Sequence, residues 1–450
     1  MIKLLFFEIK KLLRIKGIQI SIVVVVLCMF LNGINNTGIL SGLNKNVLYE
    51  KEEINTYPDK EKLMKHLNGL YYSEQQYEDM YIEYASLYDG SDTPNADKKG
   101  KYGLAQKYDK DIYGTAFEQM DYFRVFDKDV DELIVNAKQI KENNQNLGKY
   151  SDLYKDKELS KMINAYTNVK KNVKLKLCYT TTAYWYAFTE SEGANKFNYQ
   201  LIIFFICCII SVYFANEYES GIHEMTFVTF RGRYNIFVIK NIVVLIVSFL
   251  ISLMSCISNI IVLIIRFGGI REALWQPIQL IYDKEAFAEF CPFNITFGQY
   301  ILLAFVMKFT ALYFAACFVV FITVLLRKGI LSISMSALFL IGLLQITIYA
   351  GQDDIGLLMV KSSGLYKAFS YLRTFSPISL LWSRKYVDSF DVVNLFGFPI
   401  YRISFALIFS WVLILILFVI NTFLYCKRGR VHEFRVEGYI KEVWEKRSLT

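Results

Sequence analysis

Residues Ile236 to Ile265 read IFVIKNIVVLIVSFLISLMSCISNIIVLII, an apolar stretch interrupted by a single charge, Lys240. A helix needs roughly 20 apolar residues to cross the hydrocarbon core of a bilayer, and this stretch exceeds that requirement. Ile18 to Leu31, Tyr199 to Ala215, Phe297 to Leu326, Ile330 to Tyr349 and Ile403 to Tyr425 have the same character, which makes six runs in all. Four are long enough unaided, whereas Ile18 to Leu31 and Tyr199 to Ala215 need their flanks to reach across. Backbone amides cannot stay unpaired in lipid, so the spans are read as helices. A composition of 54% hydrophobic and 16% aromatic residues exceeds what one soluble core would hold.

The polar stretch after the first run has different chemistry. Asn35 to Asn198 holds 23 basic against 26 acidic residues, leaving 27 against 16 elsewhere, so the basic excess belongs to the membrane part. Short basic segments stay cytoplasmic, while long domains cross largely regardless of charge. Lys3, Lys10, Lys11, Arg14 and Lys16 precede the first span, and Arg231, Arg233 and Lys240 lie between the second and third. Arg327 and Lys328 separate the fourth and fifth, and Lys427, Arg428, Arg430 and Arg435 follow the sixth. All four clusters fall on one side of a six-span arrangement. The sequence therefore predicts an all-α polytopic membrane protein with six transmembrane helices, both termini cytoplasmic and an extracellular α-helical domain. Lys361, Lys367, Arg373, Arg384 and Lys385 oppose the rule by lying in an outer loop.

The expected organisation is an amphipathic N-terminal helix with the first span over 1–33, an extracellular domain over 34–198, and spans two to six over 199–426. Within the last part a cytoplasmic loop covers 216–240 and an outer loop 350–401, and a cytoplasmic tail covers 427–450. Leu4, Leu5, Ile9, Leu12 and Leu13 alternate with lysines before the first span, as in a helix lying in the inner interface. Asn32-Gly33-Ile34-Asn35 lacks a small-x-small cleavage pattern, so an uncleaved anchor is expected rather than a signal peptide. In the exported domain Leu63, Leu67, Leu70, Tyr77, Tyr81, Tyr84 and Tyr88 recur at three- and four-residue steps and predict one buried face. Trp185, Trp275 and Trp382 are expected as interfacial anchors. A disulfide between Cys178 and Cys291 is left open, and scattered histidines with no CxxC pair give no metal site.

No catalytic constellation is present: there is no GxSxG, no HExxH and no paired carboxylate within a span. Leu147-Gly148-Lys149-Tyr150 misses a phosphate loop, with Tyr150 where Ser or Thr belongs and Asn143 where the first Gly belongs. The chain thus has no ATP-binding motif of its own. No nucleic-acid partner is expected.

The connector between the second and third spans is the most specific segment. It reads Glu217-Tyr218-Glu219-Ser220-Gly221, then Glu224-Met225, Arg231-Gly232-Arg233 and Lys240. An acidic pair, Ser-Gly, a short helix, a Gly-Arg turn and a Lys at the foot of the next span resemble the first cytoplasmic loop of type-2 ABC exporter permeases. The order of spans, Ser376-Pro377-Ile378-Ser379 and the Gly397-Phe398-Pro399-Ile400 lead-in to the last span resemble that family too. The resemblance implies that the loop docks in a cleft of a separate ABC ATPase subunit, with Glu217, Glu219 and Glu224 as its acidic contacts. It also implies that ATP and Mg are bound by that partner, and that a second permease chain, identical or related, completes the pore. Thr229-Phe230-Arg231 departs from the family's small residue and Pro before the turn, and the outer insert is longer than in minimal members. Ile222, Met225 and Val228 form an apolar stripe that suits a partner's groove or the inner leaflet.

Within the spans, Lys308 is the charge to explain, because intramembrane charges mark a pathway or a pair unless they snorkel. With Asn259 and Gln345 it is read as a polar cluster lining an outward path. Ser248, Ser252 and Ser255 share a face with Asn259, which suits helix packing. The expected function is export of a peptide or amphipathic molecule, or its clearance from a bacterial plasma membrane. The alternative is a membrane-anchored receptor or secretion scaffold whose outer domain binds a partner without transport.

Overall fold

A computed structural model describes residues 2–36, 70–86, 106–148, 152–177, 196–220, 230–267, 274–280, 290–349, 371 and 375–447. The amphipathic stretch forms α1 (Ile2–Arg14), which breaks at Ile15 and resumes as α2 (Lys16–Asn36) at an angle of 82°. A break strands carbonyls that the helix would have satisfied, and the Gln19 amide covers one by donating to Leu13 O at 2.7 Å. Phe6 and Phe7 are exposed while Glu8 is buried, the inverse of a helix bathed in water.

The long helices are α6 (Lys196–Glu219), α7 (Phe230–Phe267), α8 (Phe297–Leu326), α9 (Gly329–Tyr349) and α10 (Arg402–Arg447). Each contains a stretch long and apolar enough to cross a bilayer, five in all, and the bent α1–α2 pair makes six when counted as one span. The central helix is α8, which packs against α6, α7, α9 and α10. Ala304, Ala311, Ala315, Ala316 and Cys317 are fully buried along it, and their small side chains let neighbouring backbones approach. A reciprocal capping box between Thr296 and Gln299 fixes its start. Arg327, at φ 55°, ends it and reverses the chain into α9.

The insert has its own core. Met80 of α3 (Glu74–Ser86), Met120, Phe123, Phe126 and Val130 of α4 (Gln106–Asn146), and Tyr166 and Val169 of α5 (Leu153–Asn172) form a cluster separate from that of the long helices. Asn144 pins the α4–α5 turn: its amide donates to Asp152 O and to Asp156 Oδ1 at 2.9 and 2.7 Å. Asp152 then caps α5 by accepting from the Tyr154 and Lys155 amides. Gly148 is a helix stop at φ 61°, and Asn143 lies inside α4, so no phosphate loop forms.

Several expectations need correction. Tyr77 stacks on Phe117 at 5.3 Å, but Tyr81 is 56% exposed and Met80, at 1%, is the buried neighbour. The α3–α4 contact centres on Tyr77 and Met80, three residues apart, and Tyr81 meets the Phe117 ring only at a tilt, at 5.9 Å. Leu63, Leu67 and Tyr88 lie outside the described residues, as does the side chain of Tyr84. Trp275 is exposed as an anchor would be, but Trp382 is buried, edge-on to Tyr199 at 5.4 Å. Cys291 is a buried free thiol, and Cys178 lies outside the described residues. The fold is also not purely helical. Val392–Leu395 (β1) and Phe398–Tyr401 (β2) pair antiparallel, with Leu395 opposite Phe398 and Val392 opposite Tyr401. Their two-residue loop, Phe396-Gly397, has φ values of 52° and 82°, the left-handed pair that closes a tight hairpin. Pro399 is tolerated because both strands of so small a sheet are edges.

Because the two cores are separate, damage to one should leave the other standing. Phe123→Ala should cost about 3–5 kcal/mol in the insert. In hydrogen exchange of the full chain, α4 amides should lose protection while α8 amides keep theirs; equal loss in both would refute the separation.

Candidate functional site

The last turn of α6 carries Glu217, whose carboxylate lies between two cations. Lys11 of α1 donates to Oε1, and Lys240 of α7 pairs with Oε2. Glu217 is 3% exposed and Lys240 is fully buried, so neither charge is solvated by bulk water. One turn back on α6, the Tyr213 hydroxyl donates to Glu8 Oε2 of α1 at 2.7 Å. The Lys240 ammonium lies 5.0 Å from the Tyr213 ring centroid and 4.9 Å from that of Phe214. Two carboxylates therefore face two ammonium groups in a low-dielectric pocket, the composition that makes buried charge tolerable. The ring of Tyr425 on α10 closes the pocket beside Phe237 at 4.9 Å.

Glu219, two residues on, is exposed and turned to a neighbouring helix. Its Oε1 accepts from the Gly329 amide at 2.8 Å, the first residue of α9. A carboxylate there satisfies an otherwise orphan donor and complements the positive end of the helix dipole. A side chain at Gly329 would meet Ala215 Cβ and this same carboxylate, each at 3.4 Å. The Arg327 guanidinium sits 5.6 Å from the ring of Tyr218. Thus α1, α6, α7, α9 and α10 converge at one end of the bundle, around the two ends of the connector 220–229.

The predicted coupling residues divide four ways. Glu217 and Lys240 meet, but in an internal ion pair rather than on a free surface. Glu219 is spent on α9. Gly221, Glu224 and Met225 lie outside the described residues. Arg231 and Arg233 have helical backbone in the first turn of α7, and their side chains lie outside the described set. Sequence reasoning missed Glu8, Lys11, Tyr213 and Tyr425. The signal for Glu8 was available: it is the one acid of α1 and shares a helical face with Leu5 and Leu12, where an amphipathic helix should be apolar.

Of the predicted path residues, Asn259 on α7 and Lys308 on α8 are both buried, and Gln345 on α9 is half-buried. The Lys308 ammonium lies 6.0 Å from the ring of Tyr199, at the end of α6 remote from Glu217. Nearby, the Tyr300 hydroxyl shares a 2.7 Å hydrogen bond with Ser383 in a 3-10 turn over Ser383–Tyr386. The serines of α7 are used locally: Ser248 and Ser252 donate to carbonyls one turn back at 3.0 and 2.8 Å. These bonds stay within α7 and satisfy the hydroxyls locally.

The profile of a family described as ABC-2 family transporter protein matches residues 17–423. No curated protein and no solved structure matches the chain. The matched region holds Glu217, Lys240, α6 to α9 and the first half of α10; it begins just past the bend and ends at 423, so Glu8, Lys11 and Tyr425 fall outside it.

Removing one partner of a buried ion pair strands the other. Glu217→Gln should therefore destabilise the protein by about 3–5 kcal/mol, read as a lowered thermal midpoint in detergent. Lys11→Ala should cost less, because Lys11 is 21% exposed. Adding Lys240→Met to Glu217→Gln should recover part of the loss. A Glu217→Gln protein that melts like the wild type would remove the ion pair from the list of structural determinants.

Proposed function

The chain belongs to the ABC-2 family of transporter proteins, and from that membership we propose that the Glu217 cluster is the joint through which an ATPase drives the spans. The family makes it a multi-pass permease subunit of an ABC transporter, partnered by an ABC ATPase subunit. Beyond this, we assign the connector 220–229 to the ATPase contact, with Glu224 and Met225 reaching the partner and Arg231 and Arg233 flanking it at the start of α7. The partner binds ATP and Mg. A second permease chain completes the translocation unit in the plasma membrane of a bacterium, and the cargo moved outward is a peptide or an amphipathic molecule. Asn259, Lys308 and Gln345 line its path.

One observation carries this reading. One end of the connector is fastened by charge to several helices at once: Glu217 to α1 and α7, and Glu219 to α9. A push on 220–229 would reach all of these helices without bending a loop in between. Glu217 and Lys240 then transmit the motion, and residues of the connector itself receive it. In this topology the insert and the β1–β2 hairpin face the exterior.

Two experiments test the assignment. Glu224→Lys combined with Met225→Ala should abolish co-purification of the ATPase subunit while leaving the melting temperature unchanged; retention of the subunit would overturn the docking role. Ser220→Cys should react with a membrane-impermeant maleimide only after cells are opened, and Glu132→Cys, on the exposed side of α4, in intact cells. The reverse labelling pattern would invert the topology and end the ATPase assignment.

A further inference from the structure

A groove of about 970 Å³ opens between the insert and the ends of the long helices. One wall is α4 and α5, the other Pro292 to Ile295 with Tyr401. The volume is at the upper end of the range for ligand sites. Lys141, Lys157 and Lys161 line it, against one acid, Asp156. The Asp156 carboxylate is already engaged, accepting from the Asn144 amide at 2.7 Å.

The two lysines of α5 are held in an unusual way. Lys161 donates to Pro399 O at 2.7 Å and lies 3.9 Å from the Tyr401 ring centroid. Lys157 donates to Gly397 O at 3.2 Å and lies 4.2 Å from the Phe398 ring centroid. Each ammonium therefore has a carbonyl and an aromatic face. Among the described residues no carboxylate pairs with either. Lys170, one turn beyond Tyr166 on the same helix, shows the contrast: it bridges Asp131 at 2.5 Å and Asp127 at 3.4 Å. Burial lowers the pKa of Lys161, and those partners raise that of Lys170. The groove thus holds three ammonium groups against one carboxylate, whereas the lysine on the back of α5 is paired with two.

Its other polar side chains are the carboxamides of Gln145, Asn164, Asn168 and Asn294, and the Ser160 hydroxyl, which already donates to Asp156 O at 2.6 Å. A carboxamide offers a donor and an acceptor together, which matches the repeating N–H and C=O of an extended chain. A lipid head group would instead present one concentrated anion. Leu153, Phe293 and Ile295 add apolar surface between the polar groups. We propose that this groove binds an acidic peptide in extended form, its carboxylates on Lys141, Lys157 and Lys161 and its backbone on the carboxamides.

Binding would compete with the hairpin for the same ammonium groups. A ligand carboxylate is a stronger acceptor than Pro399 O or Gly397 O, because charge-assisted hydrogen bonds exceed neutral ones. The hairpin runs directly into α10, where Arg402 pairs with Asp391 at 2.6 Å. Occupancy of the groove would be felt at the first residue of that helix. The proposal draws on the assigned topology only for the side from which the peptide arrives.

The test uses the full chain in phosphatidylcholine nanodiscs, without the ATPase, and a short fluorescein-labelled glutamate-rich peptide beside its lysine counterpart. Saturable binding of the acidic peptide alone, weakened by salt, is expected. Lys141→Glu, away from the hairpin contacts, should weaken it about tenfold or more, and Lys157→Glu with Lys161→Glu at least as much. Equal binding of both peptides, no saturable binding, or unchanged affinity in the folded Lys141→Glu protein would overturn the proposal. So would loss of peptide binding when phosphatidylglycerol is added to the disc, which would make the groove a lipid site. Because no ATPase is present, failure here leaves the transport reading intact, and loss of ATPase association leaves the groove intact.

Discussion

The carboxylate of Glu217, held between Lys11 and Lys240, governs the end of the bundle that carries the 220–229 connector. Removing an ion from water costs several kcal/mol even after relaxation, so a fully buried ammonium such as Lys240 demands a partner in good geometry. Glu217 supplies it from another helix. Glu8 and Lys11 bring a matching pair from a third, and the tyrosine and phenylalanine rings of α6 cover what remains. Such an arrangement does less for net stability than apolar residues of equal volume would, but it is intolerant of slippage. A shift of α7 by one residue would move Lys240 around the helix and strand both charges. The cluster therefore fixes the axial register of α1, α6 and α7. Glu219, on the Gly329 amide, fixes that of α9 in turn.

The opposite end is held by weaker and more numerous contacts. The Tyr122 hydroxyl donates to Gln279 O and that of Tyr166 to Phe290 O, both at 2.8 Å, while the lysine tips of α5 reach carbonyls of the hairpin. None of these is an ion pair, and each links a side chain of the insert to backbone outside it. The insert is thus a body with its own core, tethered by hydrogen bonds to neutral acceptors. Contacts of that kind exchange readily for better ones.

How much was legible in the sequence follows from what decides each feature. The spans were readable because hydropathy over some twenty residues is a local property. The amphipathic helix before them was readable for the same reason, though its bend at Ile15 depends on Gln19 covering a freed carbonyl. The hairpin was missed: Gly397-Phe398-Pro399-Ile400 was read as a lead-in to the last span from its resemblance to the family, and the left-handed turn at Phe396-Gly397 that pairs it with Val392–Leu395 is a backbone property no hydropathy pattern reports. Glu217 was read as facing a partner because its loop resembles the coupling loop of type-2 ABC exporter permeases. Its burial is set by Lys11, 206 residues away in the chain, and no local pattern reports that distance. Tyr81 was placed inside by its spacing from Tyr77, yet a helix face is wide enough for Met80 to take the buried position instead.

The two ends are joined by a continuous packed element. Arg402 opens α10 beside the hairpin, and Tyr425 of the same helix packs against Phe237 at 4.9 Å, one turn before Lys240. At 1.5 Å per residue that is about 35 Å of unbroken helix. One turn before Tyr425 it is fastened, since the Asn421 amide donates to Cys317 O of α8 at 3.1 Å. A stiff rod moves as a body, so displacement at Arg402 cannot be absorbed before it reaches the aromatic wall of the Glu217 cluster. Packing alone does not make two sites communicate; one contact on the route must have two discrete arrangements. The lysines of α5 meet that requirement, because an ammonium bound to Pro399 O or Gly397 O has a competing partner in any carboxylate that enters the groove. The place where the molecule can switch is therefore at the hairpin, and the place where it cannot yield is at Glu217.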